Sequence, residues 1–168
     1  TDEAFMTPGI ERACNWYYGD GNLCYGMAET AGERPGAPNE ISLYVGQDYR
    51  VHPIRLERYA VRLDGFFSWR CDFTPGRVVT RPLVFAGDRL SLNFATSAAG
   101  YVRLRLLRPD GTPLEGYDTG RLFGDSVDRA VDFSGRLAAL AGREVRLAFT
   151  MKDADLYAFQ FQTTPVIC

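Results

Sequence analysis

The chain has 168 residues, enough for one ordinary domain with a small appendage. Hydrophobic residues make up 46% of it and charged residues 24%, which excludes a disordered chain and a coiled coil. The 19 basic and 21 acidic side chains give a net charge of −2 without a basic stripe, so nucleic acid is not an expected partner. No apolar run approaches the roughly 20 residues that cross a bilayer, and no membrane partner is expected.

Residues 1–50 form the first predicted part, which is rich in Gly, Asn, Tyr and Trp. Short strand-like runs occur at 15–18, 23–27 and 40–45, and the GDGN sequence at 19–22 predicts a hairpin turn between the first two runs. The chain begins without an initiator Met or a hydrophobic leader, so we expect a C-terminal piece of a longer protein.

Residues 51–168 form the second predicted part, in which apolar and polar residues alternate with the period of two that is typical of half-buried strands. The apolar positions are Tyr59, Val61 and Leu63; Phe67, Trp69, Cys71 and Phe73; Leu90, Leu92 and Phe94; Val102, Leu104 and Leu106; Val127, Val131 and Phe133; Val145, Leu147 and Phe149; and Tyr157, Phe159 and Phe161. Seven or more short strands separated by Gly, Pro and Asp predict an all-β fold, an antiparallel β-sandwich or jelly roll. A helix of about two turns is predicted at 136–142 only.

Arginines occupy outward positions of the predicted strands, at Arg58, Arg62, Arg103 and Arg105. Such charged positions keep one sheet from pairing with another, so we expect solvated faces. A row of arginines that binds a glycan or a phosphate is the alternative.

The acidic segment 107–131 is the first candidate for chemistry, and its aspartates include Asp118, Asp125 and Asp128. A glycosidase needs two carboxylates facing one cleft, about 5 to 10 Å apart, and such pairs usually come from separate strands or loops. His52 is the only histidine, which argues against nucleophilic catalysis with a histidine base. We therefore predict no catalytic residue.

A structural Ca²⁺ held by Asp118, Asp125 and Asp128 is an alternative function for the same segment, although its spacing is not that of an EF-hand. We predict instead that Asp125 or Asp128 pairs with Arg121 or Arg129 in a surface turn. No cofactor is expected.

The chain has four cysteines, Cys14, Cys24, Cys71 and Cys168, which permit two disulfides in three connectivities. A bridge between Cys14 and Cys24 would span the predicted hairpin, and four free thiols are the alternative. No CxxC pair accompanies the single histidine, so zinc is not expected. These features do not determine the location of the protein, for which a secreted or extracytoplasmic site is preferred.

Clustered aromatic residues are the second candidate site, because sugars lay their apolar C–H faces on aromatic rings. Trp16, Tyr17, Tyr18 and Tyr25 are the candidate carbohydrate-binding residues, or else they cover an interface with a neighbour. For Phe67 and Trp69 the alternation predicts positions in the core instead.

The sequence at 39–161 resembles a known bacterial module. The runs RLDGFFSW, RPLVFAGDRLSLNFATSAAG and DADLY resemble the C-terminal β-sandwich that follows a five-bladed β-propeller in proteins similar to glycoside hydrolases of the fructosidase and arabinanase superfamily. The resemblance implies that 1–50 are the closing strands of the last propeller blade and a linker. It also implies that the catalytic carboxylates belong to the upstream propeller, the expected partner of this chain.

Two functions are therefore expected. The first is a non-catalytic β-sandwich module that stabilises the catalytic propeller and contacts carbohydrate. The alternative is an autonomous carbohydrate-binding module, or lectin.

Overall fold

The computed structural model describes residues 5–7, 21–50 and 53–164. The described residues form antiparallel sheets and a single short 3₁₀ helix, which confirms the predicted all-β class. None of their helical segments is long and apolar enough to cross a bilayer. Two compact units divide between Leu63 and Asp64. The strands of the first unit are β1 (Asn22–Leu23), β2 (Ala28–Thr30), β3 (Glu40–Gln47) and β4 (Arg55–Arg62).

The first unit is an antiparallel sheet built around β3. Strand β4 pairs along the whole of β3, from Glu40 opposite Arg62 to Gln47 opposite Arg55. Strand β1 pairs with the last residues of β3, where Leu23 lies opposite Val45. Strand β2 pairs with the first residues of β3, where Thr30 lies opposite Glu40. The predicted hairpin partner of β1, at 15–18, lies outside the described residues.

The second unit contains seven strands and the 3₁₀ helix. They are β5 (Trp69–Cys71), β6 (Gly76–Val79), β7 (Leu83–Val84), β8 (Arg89–Leu107), β9 (Pro113–Asp118), β10 (Asp125–Ala130), the 3₁₀ helix Leu137–Leu140 and β11 (Glu144–Gln162). Strands β9 and β10 pair with β8, and β5, β6 and β7 pair with β11. The short helix lies where the sequence predicted it.

Two strands of 19 residues each, β8 and β11, pair with each other on both sides of 97–100 and pair with all the other strands of this unit. The sequence predicted four short strands here, because 95–100 (ATSAAG) interrupts the apolar alternation of β8. The strand nevertheless runs on through this segment, although only Ala95 and Thr96 of it pair with β11. A Cβ added at Gly100 would lie 2.2 Å from the carbonyl oxygen of Asp153.

Two β-bulges in β11 change which residues face the core. The register shifts between Lys152 and Ala154, and again between Leu156 and Ala158. At the first irregularity β8 runs from Tyr101 to Thr96 while β11 runs from Lys152 to Ala154, and at the second β11 has one extra residue. In β11 the buried positions accordingly move from Met151 to Ala154. Asp153 accordingly has a φ of 43° in the first bulge.

The core of the second unit fills the space between the layers. Burying these side chains is the main source of its stability. The fully buried large side chains are Leu90, Leu92, Phe94, Val102, Leu104, Leu106, Val145, Leu147, Phe149, Met151 and Leu156.

Candidate binding groove at the edge of the sandwich

Strand β5 lies at one end of the sheet and has only three residues. Trp69 pairs with Leu156 and Cys71 with Ala154, so these side chains share the core-facing side, as the alternation predicts. The prediction that Phe67 and Trp69 are core residues is nevertheless wrong, because Phe67 is 71% exposed and Trp69 is 46% exposed. The physical reason is that β5 is a three-residue strand at one end of the sheet and Phe67 lies before it, so neither ring is enclosed as a central strand's side chain would be.

The uncovered aromatic side chains line a groove of about 340 Å³. Leu156 is only 1% exposed and belongs to the core, whereas Tyr157 is partly exposed at the groove wall. The second bulge of β11 places Leu156 and Phe159, three positions apart, against the same core. The residues that line this aromatic groove are Phe67, Ser68, Trp69, Leu156, Tyr157, Ala158 and Phe159.

A hydrogen-bonded pair borders the aromatic groove. The hydroxyl of Ser68 donates to Oδ1 of Asp155 over 2.7 Å. Asp155 lies opposite Arg70 in the register of β5 and β11, so it occupies the outer side of the same two strands. Of this pair only Ser68 lines the groove, so aromatic rings with a polar residue between them suit a ligand that is apolar on one face and polar at its edge.

The sequence does contain a signal for this exposure. The run GFFSWRCDFTPG, at 65–76, is crowded with turn residues, which favours a short strand at an edge over a long central one. Alternation alone identifies the side of the strand. It does not reveal whether anything covers that side.

Asp118 in the acidic segment is held by arginines of the neighbouring strand β8. Nε and Nη2 of Arg103 donate to its two carboxylate oxygens over 2.8 and 2.5 Å, and Nε of Arg105 donates over 2.6 Å. The Gly120 backbone N–H adds a bond of 3.0 Å. The Arg103 guanidinium is the main cause that holds the Asp118 pKa well below its usual range, and Asp118 raises the Arg103 pKa in turn.

Asp128 also binds an arginine of β8. Nη2 of Arg89 donates to Oδ2 of Asp128 over 2.7 Å, while Arg121 lies over the ring of Tyr101, 4.5 Å from its centroid. The predicted pairing of Asp128 with Arg121 or Arg129 is therefore wrong as to the partner, although arginine was the correct residue type. The reason is that segment 107–131 contains β9 and β10, which both pair with β8. The arginine side chains of β8 therefore lie closer to the aspartates than the arginines of the segment itself do.

The structure does not bring the three candidate calcium ligands together. Asp118 lies on β9, whereas Asp125 and Asp128 lie on β10. Within 5–7, 21–50 and 53–164, no three His, Cys, Asp or Glu side chains are grouped closely enough to hold a metal ion.

The remaining predicted site residues lie mostly in the first unit. Tyr25 is fully exposed, while Trp16, Tyr17, Tyr18, His52, Cys14 and Cys168 lie outside the described residues.

Cys24 and Cys71 are free thiols, so the predicted bridge between Cys14 and Cys24 is not formed. The backbone N–H of Cys24 binds Tyr44 O over 2.8 Å, because its strand pairs with β3. The Cys71 thiol donates to the carbonyl oxygens of Thr74 and Met151 over 3.2 and 3.1 Å.

A second groove, of about 310 Å³, lies beside the 3₁₀ helix and includes Asp88, Asp132 and Arg136 in its lining. Asp88 accepts hydrogen bonds from the backbone N–H and the hydroxyl of Thr164, over 2.7 and 3.0 Å. These bonds lower the Asp88 pKa. The Asp88 carboxylate thus binds the chain segment that follows β11. Because these bonds already occupy Asp88, the aromatic groove is the stronger candidate for a ligand site.

Comparison of this chain with models of protein families, with curated proteins and with solved structures found no match in any of the three. The function therefore has to be argued from the geometry of the groove and its surroundings.

Proposed function

We propose that this chain is a non-catalytic β-sandwich module that binds carbohydrate in the aromatic groove and accompanies the catalytic domain of a glycoside-hydrolase-like protein. The observation that carries the proposal is the exposure of Phe67 and Trp69 in a groove that Ser68 also lines. Contiguous exposed apolar surface bordered by polar groups is typical of a binding site. A sugar ring matches it, because its C–H face packs on an aromatic ring while its hydroxyls bind polar groups at the groove edge.

The chemistry of the carboxylates supports a non-catalytic role. A glycosidase acid needs a pKa raised towards neutrality, so that it still carries a proton to donate. The pKa of Asp118 is lowered instead, and two arginines occupy its oxygens. Asp118 is suited to holding β9 against β8, and it is unsuited to donating a proton.

The size of the first unit supports the accessory role. Strands β1 to β4 form a four-stranded antiparallel sheet, and a propeller blade is a sheet of four strands. The resemblance implies closing blade strands at 1–50, and the sheet of the first unit adds β4 (Arg55–Arg62) beyond that boundary. The upstream propeller would then be the main partner of this chain.

A glycan array tests carbohydrate binding by the full chain and by three single variants. We expect Trp69→Ala to weaken binding about tenfold, the effect of one lost ring-stacking contact. Phe123→Ala removes a ring that is 72% exposed and lies outside the groove, and it should bind normally. Trp16→Ala tests the lectin alternative, in which the first part of the chain holds the sugar.

Two results would contradict carbohydrate binding in the groove. One is an array on which the parent chain binds no glycan, and the other is a binding profile that Trp69→Ala leaves unchanged. Turnover of an aryl-glycoside by the isolated chain would contradict the non-catalytic role.

A further inference from the structure

The outer side of one sandwich layer concentrates positive charge. The register places Arg77 opposite Thr150, which is opposite Arg103, and places Tyr101 opposite Lys152. These residues alternate with buried ones such as Val102 and Phe149, so their side chains lie on the solvent side. The arginine face is defined by Arg77, Arg103, Arg105, Arg121, Arg146 and Lys152.

The carboxylate of Asp118 neutralises only part of this charge. Its bonds use Nε and Nη2 of Arg103 and Nε of Arg105. Within the described part of the chain, they leave Nη1 of Arg103 and both Nη groups of Arg105 available to a ligand. Glu144 lies on the same side of β11 as Arg146, so the six cations are set against two carboxylates. A positive excess remains on this face, although the whole chain has a net charge of −2.

Arg146 adds a second, independent observation. Its Nε is buried and has no hydrogen-bond partner among the described residues. A buried donor without a partner costs free energy, so such a group commonly marks a place where a further acceptor binds. Ala148, which lies opposite Arg105, is only 3% exposed on this outer side. The long side chains around it therefore cover the strand and form a continuous cationic surface.

We propose that the arginine face binds a polysaccharide that carries carboxylate groups. An arginine guanidinium can donate two parallel hydrogen bonds to the two oxygens of one carboxylate. The Arg103–Asp118 pair shows this bidentate geometry on the arginine face. The register makes Arg146 a diagonal neighbour of Arg105, and Lys152 a diagonal neighbour of Arg103. Diagonal positions are roughly 7 to 8 Å apart and alternate positions along one strand are roughly 7 Å apart, a spacing that an extended charged polymer can follow.

The same face is poorly suited to nucleic acid. Binding of single strands needs aromatic platforms on which bases stack, and Arg121 already covers the ring of Tyr101. A duplex is read by a helix or a narrow ribbon that enters a groove, whereas this surface is the broad side of a sheet. The inference goes beyond the aromatic groove and does not depend on it.

Binding of the full chain to polygalacturonate, to neutral dextran and to single-stranded DNA tests the proposal. We expect polygalacturonate to bind at least about tenfold more tightly than dextran at about 50 mM salt, and the preference to shrink at about 200 mM salt because salt screens the charges. The double variant Arg77→Ser with Lys152→Ser should weaken polygalacturonate binding about fivefold, since it removes two exposed charge contacts.

The matched control is Arg34→Ser with Arg70→Ser, which removes two exposed positive charges outside the arginine face. It should bind within about twofold of the parent chain. Trp69→Ala should keep the preference for polygalacturonate over dextran. This variant therefore tests the arginine face separately from the proposal that the aromatic groove binds carbohydrate.

Three outcomes would overturn the proposal. They are equal binding of polygalacturonate and dextran, an equal loss in the control variant, and tighter binding of single-stranded DNA than of polygalacturonate. The melting temperatures of both double variants are measured in parallel, and they should match that of the parent chain.

Discussion

The two ends of the β8–β11 pair follow the same alternating pattern but differ in what lies across from them. In the half that contains Leu104 and Phe149, both side chains are fully buried. At the other end, Trp69 occupies the core-facing side of β5 and Phe67 precedes that strand, yet they are 46% and 71% exposed. The contrast teaches that a strand pattern determines the side a residue faces, while the opposite layer determines whether that side is core or binding surface.

The largest expected effect is a difference in the free energy of unfolding between variants at these two ends. Leu104→Ala should lower the free energy of unfolding by about 3 kcal/mol, because it leaves a cavity in a fully buried site. Trp69→Ala should cost about 1 kcal/mol or less, since much of the indole is already in water. Urea denaturation of both variants measures the difference. Equal losses would show that Trp69 is a core residue after all.

A smaller effect distinguishes Asp118, on the covered half, from Asp155, at the groove. Asp118→Asn should lower the free energy of unfolding by about 1 kcal/mol at neutral pH, a value that allows for solvent screening of the arginine bonds. Asp155→Asn is the matched control, because that carboxylate accepts a bond from the neutral Ser68 hydroxyl. It should cost less.

The Asp118 effect should also depend on pH. The folded protein holds the Asp118 pKa below the ordinary unfolded value of about 3.9. The stabilisation is therefore complete above about pH 4 and is lost as the pH falls towards the folded-state pKa. Urea titrations from neutral pH down to about pH 3 measure it. A difference between Asp118→Asn and the parent chain that grows as the pH falls would contradict the account.

Much of the fold could be predicted from the sequence because apolar alternation reports burial directly. Leu90, Val102 and Leu147 face the core as their spacing indicates. The continuity of β8 could not be predicted, because the small residues at 95–100 give no alternation to follow. The sequence also does not predict that Leu156 faces the core, because this orientation depends on a β-bulge that the apolar pattern does not reveal.

The candidate site was less predictable than the fold. The sequence offers Asp118 as a candidate calcium ligand, but it binds Arg103 and Arg105, which precede it by 15 and 13 positions. Only the register of β8 and β9 brings them together, and a turn-rich segment does not encode that register. Phe67 and Trp69 were assigned to the core because their alternation resembles that of buried strands.

Fluorescence of Trp69 tests the central claim most directly. The chain has two tryptophans, so Trp16→Phe leaves Trp69 as the only indole. Titration with a glycan that the parent chain binds should change its emission to a saturating value, with the same dissociation constant that calorimetry gives. Glycan binding detected by calorimetry with no change in the Trp69 emission would contradict a carbohydrate site in the aromatic groove.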